Sequence, residues 1–415
     1  MSYAKGFKCM LCGAAYDLDE IDYVCPNHGD DGIVDIVYDY DAMRSDLDRD
    51  ALSARRIEDM WRYKVLLPVD PDAPVPPLRV GGTPLYAASR LGSHLDLPDL
   101  WVKDDGLNPT ASFKDRASAL AVVKAQEIGA EVITTASTGN AAAALAGLTA
   151  SVGLPAVIFV PRAAPPAKIA QHLVYGARVL LVDGSYDDAF DLTLQVAREF
   201  RWYNRNTAYN PFMTEGKKTA AYEICEQLGW DVPDRIFVPV GDGCILGGIH
   251  KGLKDLLALG WIDRMPTLMG IQSEGSAALV DAFERGLSAA EMRPIEADTI
   301  ADSISARLPR DRAKALAAVR ETGGHFLAVS DEKILEAIPV IAQHTGVFCE
   351  PAAAAPYAGL VKALDSGLVA RDERVVLLLT GSGLKDIDSA MKTVASPPVI
   401  PARLEAVREV VASWS

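Results

Sequence analysis

The chain lacks any long apolar run. No apolar stretch in its 415 residues approaches the ~20 residues that a membrane-spanning helix needs. The segment that begins the sequence, Met1 to Gly6, also lacks the apolar core of a secretory signal. We therefore expect a cytoplasmic protein that does not bind membranes.

Positive charge and cysteine are both scarce. The sequence has 41 Lys and Arg residues against 56 Asp and Glu residues, for a formal net charge of -15. This balance disfavours nonspecific attraction to nucleic acids or anionic membranes. Six cysteines in a chain of this length do not indicate a disulfide scaffold. Because 49% of the residues are hydrophobic, we expect a globular enzyme with two or three domains.

Two common nucleotide-binding signatures are also missing. The sequence has neither the lysine-hydroxyl pair of a Walker motif nor the usual glycine spacing of a dinucleotide-binding turn. It does contain a glycine-rich segment, Gly241 to Gly248, that leads towards a helix. Backbone N–H groups in such a segment can converge on phosphate oxygens, with help from the helix dipole. Taken alone, a plain tight turn is the commoner explanation.

Four metal-type ligands cluster near the start of the sequence. Cys9 and Cys12 form one pair and Cys25 and His28 another, each with two residues between its members. Four such ligands can close a tetrahedral zinc site, and because protein would fill all four positions, the zinc would be structural. The alternative is a pair of tight turns with leftover cysteines in a reducing compartment, and the spacing does not decide between the two.

The organisation of the chain changes at about residue 80. Residues 39–56 are typical of a helical connector, and a proline-rich linker runs to Pro77. Beyond it, strand patterns alternate with helix patterns, which favours an open α/β sheet. Strands are predicted at 100–103, 132–135, 156–160, 177–182, 235–240, 268–272 and 375–380, and helices from Ala141 and from about Tyr186.

Lys114 is the leading candidate for the chemical centre. It lies in the segment from Asn108 to Arg116, which follows the predicted strand at 100–103 and opens an alanine-rich run. Burial and the positive end of a helix both disfavour a protonated lysine, so its amine could act as a nucleophile. The alternative is a solvated lysine in the first helical turn, paired with Asp115.

A second polar turn lies between a predicted strand and a predicted helix. Ser137 and Thr138 offer two hydroxyl groups, Gly139 a permissive backbone and Asn140 an amide. This set suits a carboxylate or a phenolic oxygen. It also suits a simple helix N-cap, and the two roles are compatible.

Six motifs, taken together and in this order, resemble those of the fold-type II pyridoxal-phosphate enzymes and, among these, the threonine synthases. The resemblance covers the chain from about residue 60 to about residue 390. The matching segments are Gly82 to Leu85, Asn108 to Arg116, Ala136 to Asn140, Glu215 to Ala221, Glu350 to Ala352 and Leu379 to Asp386.

The resemblance implies a tryptophan synthase β-like body of two open α/β domains with the cofactor between them. We expect this body at residues 80–395, with the smaller domain at about 115–210. A zinc-ribbon-like segment at 1–38 and a connector at 39–79 would precede it, and a C-terminal helix would follow at 396–415. The resemblance also implies a homodimer.

The resemblance further implies roles for individual residues. Lys114 would bind pyridoxal phosphate covalently and then carry protons during the reaction. Asn140 would bond the phenolic oxygen of the cofactor, and Ser137 and Thr138 would receive the substrate carboxylate. Thr380 would face the pyridine nitrogen, where a neutral hydroxyl does not enforce protonation of the ring as a carboxylate would. The cofactor phosphate would lie against Gly241, Asp242, Gly243, Cys244 and Ile245.

The implied activity is that of a carbon–oxygen lyase in threonine biosynthesis. In threonine synthases, protons leave Cα and Cβ of O-phospho-L-homoserine in turn, phosphate leaves from Cγ, and water adds at Cβ to give L-threonine. The implied partner is thus a small amino-acid substrate, and neither a nucleic acid nor a membrane.

Two segments depart from the family pattern. Threonine synthases commonly read Gly-Asn-Ala-Gly-Asn where this chain reads Gly-Asp-Gly-Cys-Ile at 241–245, which resembles the glycine-rich loop of serine/threonine dehydratases. Asp242 beside a dianionic phosphate would be repulsive unless its side chain points away, so we expect backbone amides to make the phosphate contacts. Where the family usually reads Asn-Ser-x-Asn-Pro-Tyr-Arg and helps to hold the substrate phosphate, this chain places Met213 at the arginine position. A phosphorylated substrate then needs compensation from Lys168, Arg162, Lys217 or Lys218.

Two other functions stay open on the sequence alone. The first is β-elimination or β-replacement on a smaller amino acid, as in a serine/threonine dehydratase or an O-phosphoserine-using synthase. Met213 and the altered glycine-rich loop favour that reading. The second is a noncatalytic binding protein that has kept the scaffold, and Lys114 argues against it.

Overall fold

The computed structural model describes residues 2–164 and 166–414, and in them strands alternate with helices along most of the chain. The strands are β1 Ala4–Cys9, β2 Ala15–Tyr16, β3 Val34–Tyr38, β4 Leu85–Ala87, β5 Leu100–Asp104, β6 Ile133–Ala136, β7 Ala156–Pro161, β8 Arg178–Val182, β9 Tyr203–Asn204, β10 Arg235–Pro239, β11 Thr267–Ser273, β12 His325–Val329 and β13 Val375–Leu379. The α-helices are α1 Tyr40–Asp46, α2 Arg49–Ser53, α3 Ser89–Leu95, α4 Lys114–Glu127, α5 Asn140–Val152, α6 Pro166–Val174, α7 Tyr186–Phe200, α8 Phe212–Lys217, α9 Thr219–Gln227, α10 Cys244–Ala258, α11 Ala278–Glu284, α12 Arg312–Glu321, α13 Asp331–Thr345, α14 Pro351–Asp365, α15 Ile387–Met391 and α16 Leu404–Ala412. Short 3-10 helices lie at Pro26–Asp31, Met60–Leu66, Asp105–Leu107, Glu274–Ser276, Asp302–Ile304 and Gly383–Lys385.

The largest sheet has the strand order β12-β11-β10-β13-β5-β4. Neighbouring strands are parallel except for β4, which is antiparallel to β5 at one edge. Strand β13 reads Val-Val-Leu-Leu-Leu and is buried at every position. Such a continuous apolar run is expected for a parallel strand that is covered on both faces.

A second, all-parallel sheet has the order β8-β7-β6-β9. Helix α5 begins at Asn140, directly after the turn that follows β6. Helix α7 begins with a capping box, in which Ser185 Oγ accepts from Asp188 N–H and the Asp188 carboxylate accepts from Ser185 N–H. In both parallel sheets, polar βα turns therefore follow the carboxyl ends of the strands, which is where α/β proteins gather ligand contacts.

The N-terminal segment forms a small antiparallel sheet with the order β2-β1-β3. Its buried side chains, Phe7 and Ile36 among them, join the same hydrophobic core as α9 and α10. The hydroxyl of Tyr38 donates to the buried Glu215 carboxylate at 2.5 Å. Lys251 of α10 donates in return to the carbonyl oxygen of Ile36 at 2.6 Å. The segment is thus anchored to the main body by apolar and polar contacts.

The elements agree with the predicted α/β pattern. The predicted strands correspond to β5, β6, β7, β8, β10, β11 and β13, and the predicted helices to α5 and α7. The predicted helical connector contains α1 and α2. The domain limits at 1–38, 39–79, 80–395 and 396–415 stay a prediction. Among the described residues, no helix combines the length and apolar character needed to cross a bilayer.

Candidate active site

Lys114 is the first residue of α4 and lines a cavity of about 390 Å³. The loop before it is fixed at two points. The Asp115 carboxylate accepts hydrogen bonds from the Thr110 N–H at 2.8 Å and from the Thr110 hydroxyl at 2.5 Å. The Phe113 N–H donates to the carbonyl oxygen of Thr380 at 2.8 Å. Lys114 is therefore held at the junction of α4 with the carboxyl end of β13.

The environment of Lys114 opposes its protonation, as predicted. Burial lowers the pKa of its ammonium group from the ordinary value. Across the described residues, no ion pair joins Lys114 to Asp115, whose carboxylate is bound by Thr110 instead. The structure thus does not support the alternative of a solvated lysine paired with its neighbour.

The cavity brings together nearly all of the predicted site residues. It is lined by Lys114, Ser137, Thr138, Asn140 and the loop from Gly241 to Ile245. It lies where β6 and β10 end, at the βα turns of the two parallel sheets. Thr380 is not among the described residues that line the cavity; it follows β13 and touches the Lys114 loop through its backbone.

The loop before α10, Gly241 to Ile245, has glycine at two positions where neighbouring atoms leave no room for a side chain. We call this loop the glycine cradle. A Cβ atom on Gly241 would lie 2.8 Å from Ile304 Cα. Gly243 has a φ of +90° and caps α10, and a Cβ there would lie 2.7 Å from the Ala315 Cβ. The first helical hydrogen bond runs from Gly247 N–H to Gly243 carbonyl oxygen at 2.9 Å. The N–H groups between these two residues precede the helical ladder and point out of the helix end.

Asp242 orients its carboxylate away from this cradle. Its Oδ1 accepts a hydrogen bond from the Arg310 N–H at 3.3 Å, and its carbonyl oxygen accepts one from the Asp311 N–H at 2.9 Å. These contacts tie the loop to the segment before α12. They fit the expectation that backbone amides, and not the aspartate side chain, meet an anion here.

Asn140 has a partner that sequence reasoning missed. Its side-chain amide donates to both carboxylate oxygens of Glu350, at 2.9 and 3.1 Å, and to the Ser303 hydroxyl at 3.2 Å. Burial raises the pKa of Glu350, while the hydrogen bond from Asn140 acts in the opposite direction. In the sequence, Glu350 stands out only as the first residue of the motif Glu350 to Ala352. The contact fixes the position of the Asn140 side chain at the cavity.

Two buried cations also line the cavity. Arg205 follows β9, and its guanidinium donates to the Ser118 hydroxyl at 3.1 Å and to the Thr207 hydroxyl at 2.8 Å. Its remaining terminal nitrogen has no hydrogen-bond partner, and neither has the Nζ atom of Lys217. Lys217 is one of the four cations that the sequence offers for a substrate phosphate, whereas Arg205 lies outside all six motifs and is revealed by the structure.

Met213 takes no part in the site. Its side chain is 1% exposed and packs in the hydrophobic core beneath the smaller parallel sheet, together with Ala117, Ala121 and Ile133. The position at which the family usually has an arginine therefore contributes packing in this chain.

The four N-terminal ligands converge in the structure, as the zinc alternative requires. One ligand atom from each of Cys9, Cys12, Cys25 and His28 lies within 4.8 Å of all the others. The Sγ atoms of Cys12 and Cys25 are 3.8 Å apart. A tetrahedral zinc with Zn–S bonds of about 2.3 Å places its sulfurs about 3.8 Å apart. The cluster is thus compatible with zinc, and it stands on the N-terminal sheet, apart from the residues that line the cavity.

The cavity fits pyridoxal phosphate, the cofactor that the motifs imply. Its volume falls in the range of about 300–1,000 Å³ that is typical of small-molecule sites. The cradle and the end of α10 suit a phosphate group, because a helix N-terminus presents N–H donors and a positive dipole. Lys114 supplies an amine of lowered pKa in the same cavity.

Comparison with protein families identifies the class. The model of the family described as "Pyridoxal-phosphate dependent enzyme" matches residues 77–381. This range includes Lys114, the turn after β6 and the loop before α10.

Comparison with curated proteins finds threonine synthases among the relatives of this chain. The chain is 41% identical to threonine synthase of Methanocaldococcus jannaschii over 405 residues, which cover 97% of this chain and 98% of that one. It is 40% identical to threonine synthase of Methanosarcina acetivorans, again over 97% of this chain. It is 39% identical to threonine synthase of Mycobacterium tuberculosis over 84% of this chain and 94% of the relative.

Solved structures share the fold at lower identity. Threonine deaminase isoform 2 of Solanum lycopersicum, in its processed form, superposes with a TM-score of 0.64 at 20% identity over 75% of this chain and 83% of that one. Diaminopropionate ammonia lyase of Escherichia coli gives a TM-score of 0.64 at 19% identity over 75% of this chain and 87% of that one. These likenesses confirm the predicted fold-type II α/β architecture. The chain belongs to the pyridoxal-phosphate dependent enzyme family and, within it, to the threonine synthases.

Proposed function

We propose that this chain converts O-phospho-L-homoserine and water to L-threonine and phosphate. The observation that carries the proposal is a partly buried lysine that lines the same cavity as a glycine-rich loop, inside a chain 41% identical to a threonine synthase over 97% of its length. The reaction removes one proton each from Cα and Cβ of the substrate and expels phosphate from Cγ; protons then return to Cγ and Cα, and water adds at Cβ.

The residues that would hold the cofactor are those that line the cavity. The N–H groups of Gly243, Cys244 and Ile245 would bond its phosphate, with the dipole of α10 behind them. Asn140, held by Glu350, would bond the phenolic oxygen. Thr380 would lie near the pyridine nitrogen, and Lys114 would supply the amine that binds the cofactor covalently.

Lys114 also has the properties of a proton carrier. When bound, pyridoxal phosphate withdraws electrons from the substrate carbons and makes their protons acidic. Lys114 Nζ can accept such protons in its neutral form and return them, and burial favours the neutral form because it lowers the pKa of the amine from the ordinary value. Ser137 and Thr138, at the start of α5, would hold the substrate carboxylate and so present Cα and Cβ to this amine.

The segment that begins at Asp302 forms part of the cavity wall. Residues 302–308 and Arg310 line the cavity, and Asp302 forms an ion pair with Lys168 of α6. The ion pair thus links this segment to the part of the chain that carries the smaller parallel sheet.

We propose in addition that Cys9, Cys12, Cys25 and His28 bind a structural zinc ion. The 3.8 Å separation of two of the sulfurs supports this, since it equals the edge of a tetrahedral site. The zinc would brace the β1-β3 sheet against the main body. The homodimer implied by the resemblance also remains a proposal.

The substrate assignment is tested with the holoenzyme. O-phospho-L-homoserine should yield phosphate and threonine in equal amounts, and a Lys114→Ala variant should yield neither. Serine and threonine are offered in parallel, and keto-acid formation is measured. If the enzyme forms only keto acid and releases no phosphate, it acts as a β-eliminating lyase on smaller amino acids and the proposal is wrong.

A further inference from the structure

A phosphorylated substrate needs positive charge in the cavity, and four side chains were candidates to supply it. Arg162 is exposed and pairs with Asp183, and Lys168 pairs with Asp302. Neither Arg162 nor Lys168 is among the described residues that line the cavity.

Lys218 is committed elsewhere as well. Its Nζ lies 2.6 Å from the Glu215 carboxylate and 2.7 Å from the Asp255 carboxylate in the interior. Lys217 is thus the candidate of the four that reaches the cavity.

Lys217 is buried without a partner. It ends α8, its residue is 0% exposed, and its Nζ makes no hydrogen bond. An unpaired ammonium group in the interior costs free energy, so its presence calls for a ligand or a counter-charge. Burial lowers its pKa to about 8; the charges of Lys114 and Arg205 act in the same direction, whereas Cys244 and Asp311 act in the opposite direction. An anion bound in the cavity would supply the missing partner.

Arg205 presents a second donor to the same space. Its residue is 0% exposed, and hydrogen bonds to Ser118 and Thr207 fix the plane of the guanidinium group. The terminal nitrogen that these bonds leave free lacks a partner. A fixed guanidinium with a free donor is suited to phosphate, because little side-chain entropy is lost on binding.

Two carboxylates lie nearby, and among the described residues neither forms an ion pair with Lys217 or Arg205, although the charge of Asp311 favours the protonated form of Lys217. Asp242 is turned to the Arg310 N–H. Asp311 is buried, burial raises its pKa, and no ion pair joins it to Lys217 within the part of the chain that the structure describes.

We propose that Lys217 and Arg205 form the subsite for the substrate's phosphate group, in place of the arginine that the family usually has at the position of Met213. This inference rests on the proposed function, since it assumes an O-phosphorylated amino acid. The cradle before α10 is left for the phosphate of the cofactor, so the cavity holds two phosphate sites of different construction. One uses backbone amides and the other uses side-chain cations.

The test is a charge-removing substitution, Lys217→Met, measured in the holoenzyme. Loss of one charged hydrogen bond to phosphate should lower kcat/KM for O-phospho-L-homoserine about 10- to 100-fold. Binding of inorganic phosphate to the holoenzyme, measured by calorimetry, should weaken by a similar factor. Lys217→Arg should restore much of both. Arg162→Met makes the same change of net charge at an exposed position and should leave both quantities as in wild type.

Two further measurements and a second variant separate this subsite from other roles. Thermal stability of Lys217→Met should equal or exceed that of wild type, because an unpaired buried charge is removed. A marked loss of stability would assign Lys217 a structural role and overturn the proposal. The affinity for pyridoxal phosphate should not change, and a loss there that matches the loss in kcat/KM would place the cations on the cofactor's phosphate. Unchanged kcat/KM and phosphate binding in both Lys217→Met and Lys217→Gln would also overturn it.

Failure of the proposed function would look different. Wild-type enzyme would then release no phosphate from O-phospho-L-homoserine, while inorganic phosphate would still bind in a manner that depends on Lys217. If neither turnover nor Lys217-dependent phosphate binding is found, both proposals are wrong.

Discussion

Replacing Gly243 by alanine tests whether the glycine cradle sets the shape of the phosphate site. Gly243 has a φ of +90°, and an L-residue in the left-handed region costs about 1–2 kcal/mol. The new Cβ would lie 2.7 Å from the Ala315 Cβ and 3.1 Å from the Asp311 carbonyl oxygen. Overpacking of this kind costs about 1–3 kcal/mol. The two effects together give about 2–5 kcal/mol of strain at the start of α10.

The apoenzyme can relieve this strain by moving the loop, but cofactor binding would restore it. The affinity for pyridoxal phosphate should therefore fall at least tenfold, because every 1.4 kcal/mol corresponds to about a factor of ten. The assay is a titration of apoenzyme with pyridoxal phosphate, followed by visible absorption, together with thermal unfolding of both forms.

A matched control lies at the other end of the same helix. Gly260 has a φ of +70°, and no atom lies within 4 Å of a Cβ placed there. Gly260→Ala should lower stability by the backbone cost alone and leave cofactor affinity unchanged. The reasoning is refuted if Gly243→Ala binds the cofactor as wild type does, or if Gly260→Ala weakens binding equally.

Two further predictions concern the zinc cluster and the pH dependence of stability. Cys12→Ser should lower zinc content, measured by mass spectrometry of the metal, and the melting temperature, while the visible spectrum of the holoenzyme stays the same; unchanged metal content would show that these residues hold no zinc. Burial lowers the pKa of His172 to about 4, whereas an unfolded histidine titrates near 6.5, so the unfolded state takes up the proton first as the pH falls. This histidine's contribution to stability is present above pH ~6.5, and up to about 3 kcal/mol of it is lost by about pH 4. Urea unfolding across that interval measures the loss, and His172→Gln should flatten the profile; an equally steep profile in the variant would contradict the assignment.

The sequence carries enough local information to predict most of the strands and the main site residues. Strands such as β7 and β13 contain short apolar runs, and Lys114 and the turn at Ser137 lie in compact motifs. Each of these features can be recognised in a window of about ten residues, because apolar runs and turn residues are local patterns in the sequence.

The missed features depend on contacts between distant parts of the chain. Asn140 and Glu350 are 210 residues apart in sequence, and no local pattern pairs them. Arg205 follows a strand of two residues, too short to show alternation, and only the folded chain reveals that its side chain enters the cavity. Strand β12 is a short edge strand that reads His-Phe-Leu-Ala-Val, and an apolar run of this length does not by itself distinguish a strand from a buried helix segment.

The positive charge of the site illustrates the same limit. Lys217 and Lys218 are adjacent and chemically identical in the sequence, yet one lines the cavity without a partner and the other is bound by Glu215 and Asp255. Residues next to each other on a helix point about 100° apart, since a turn takes 3.6 residues. The two lysine side chains therefore point into different surroundings, and this difference explains their different roles.

The central claim is that Lys114 binds the cofactor, and chemical trapping tests it most directly. Borohydride reduction of the holoenzyme makes the bond between a lysine amine and pyridoxal phosphate permanent, and peptide mass spectrometry then locates the modified residue. The account predicts the modification on the peptide that contains Lys114 and its loss in Lys114→Ala. Modification at Lys217 or another lysine, with Lys114 unmodified, would contradict it.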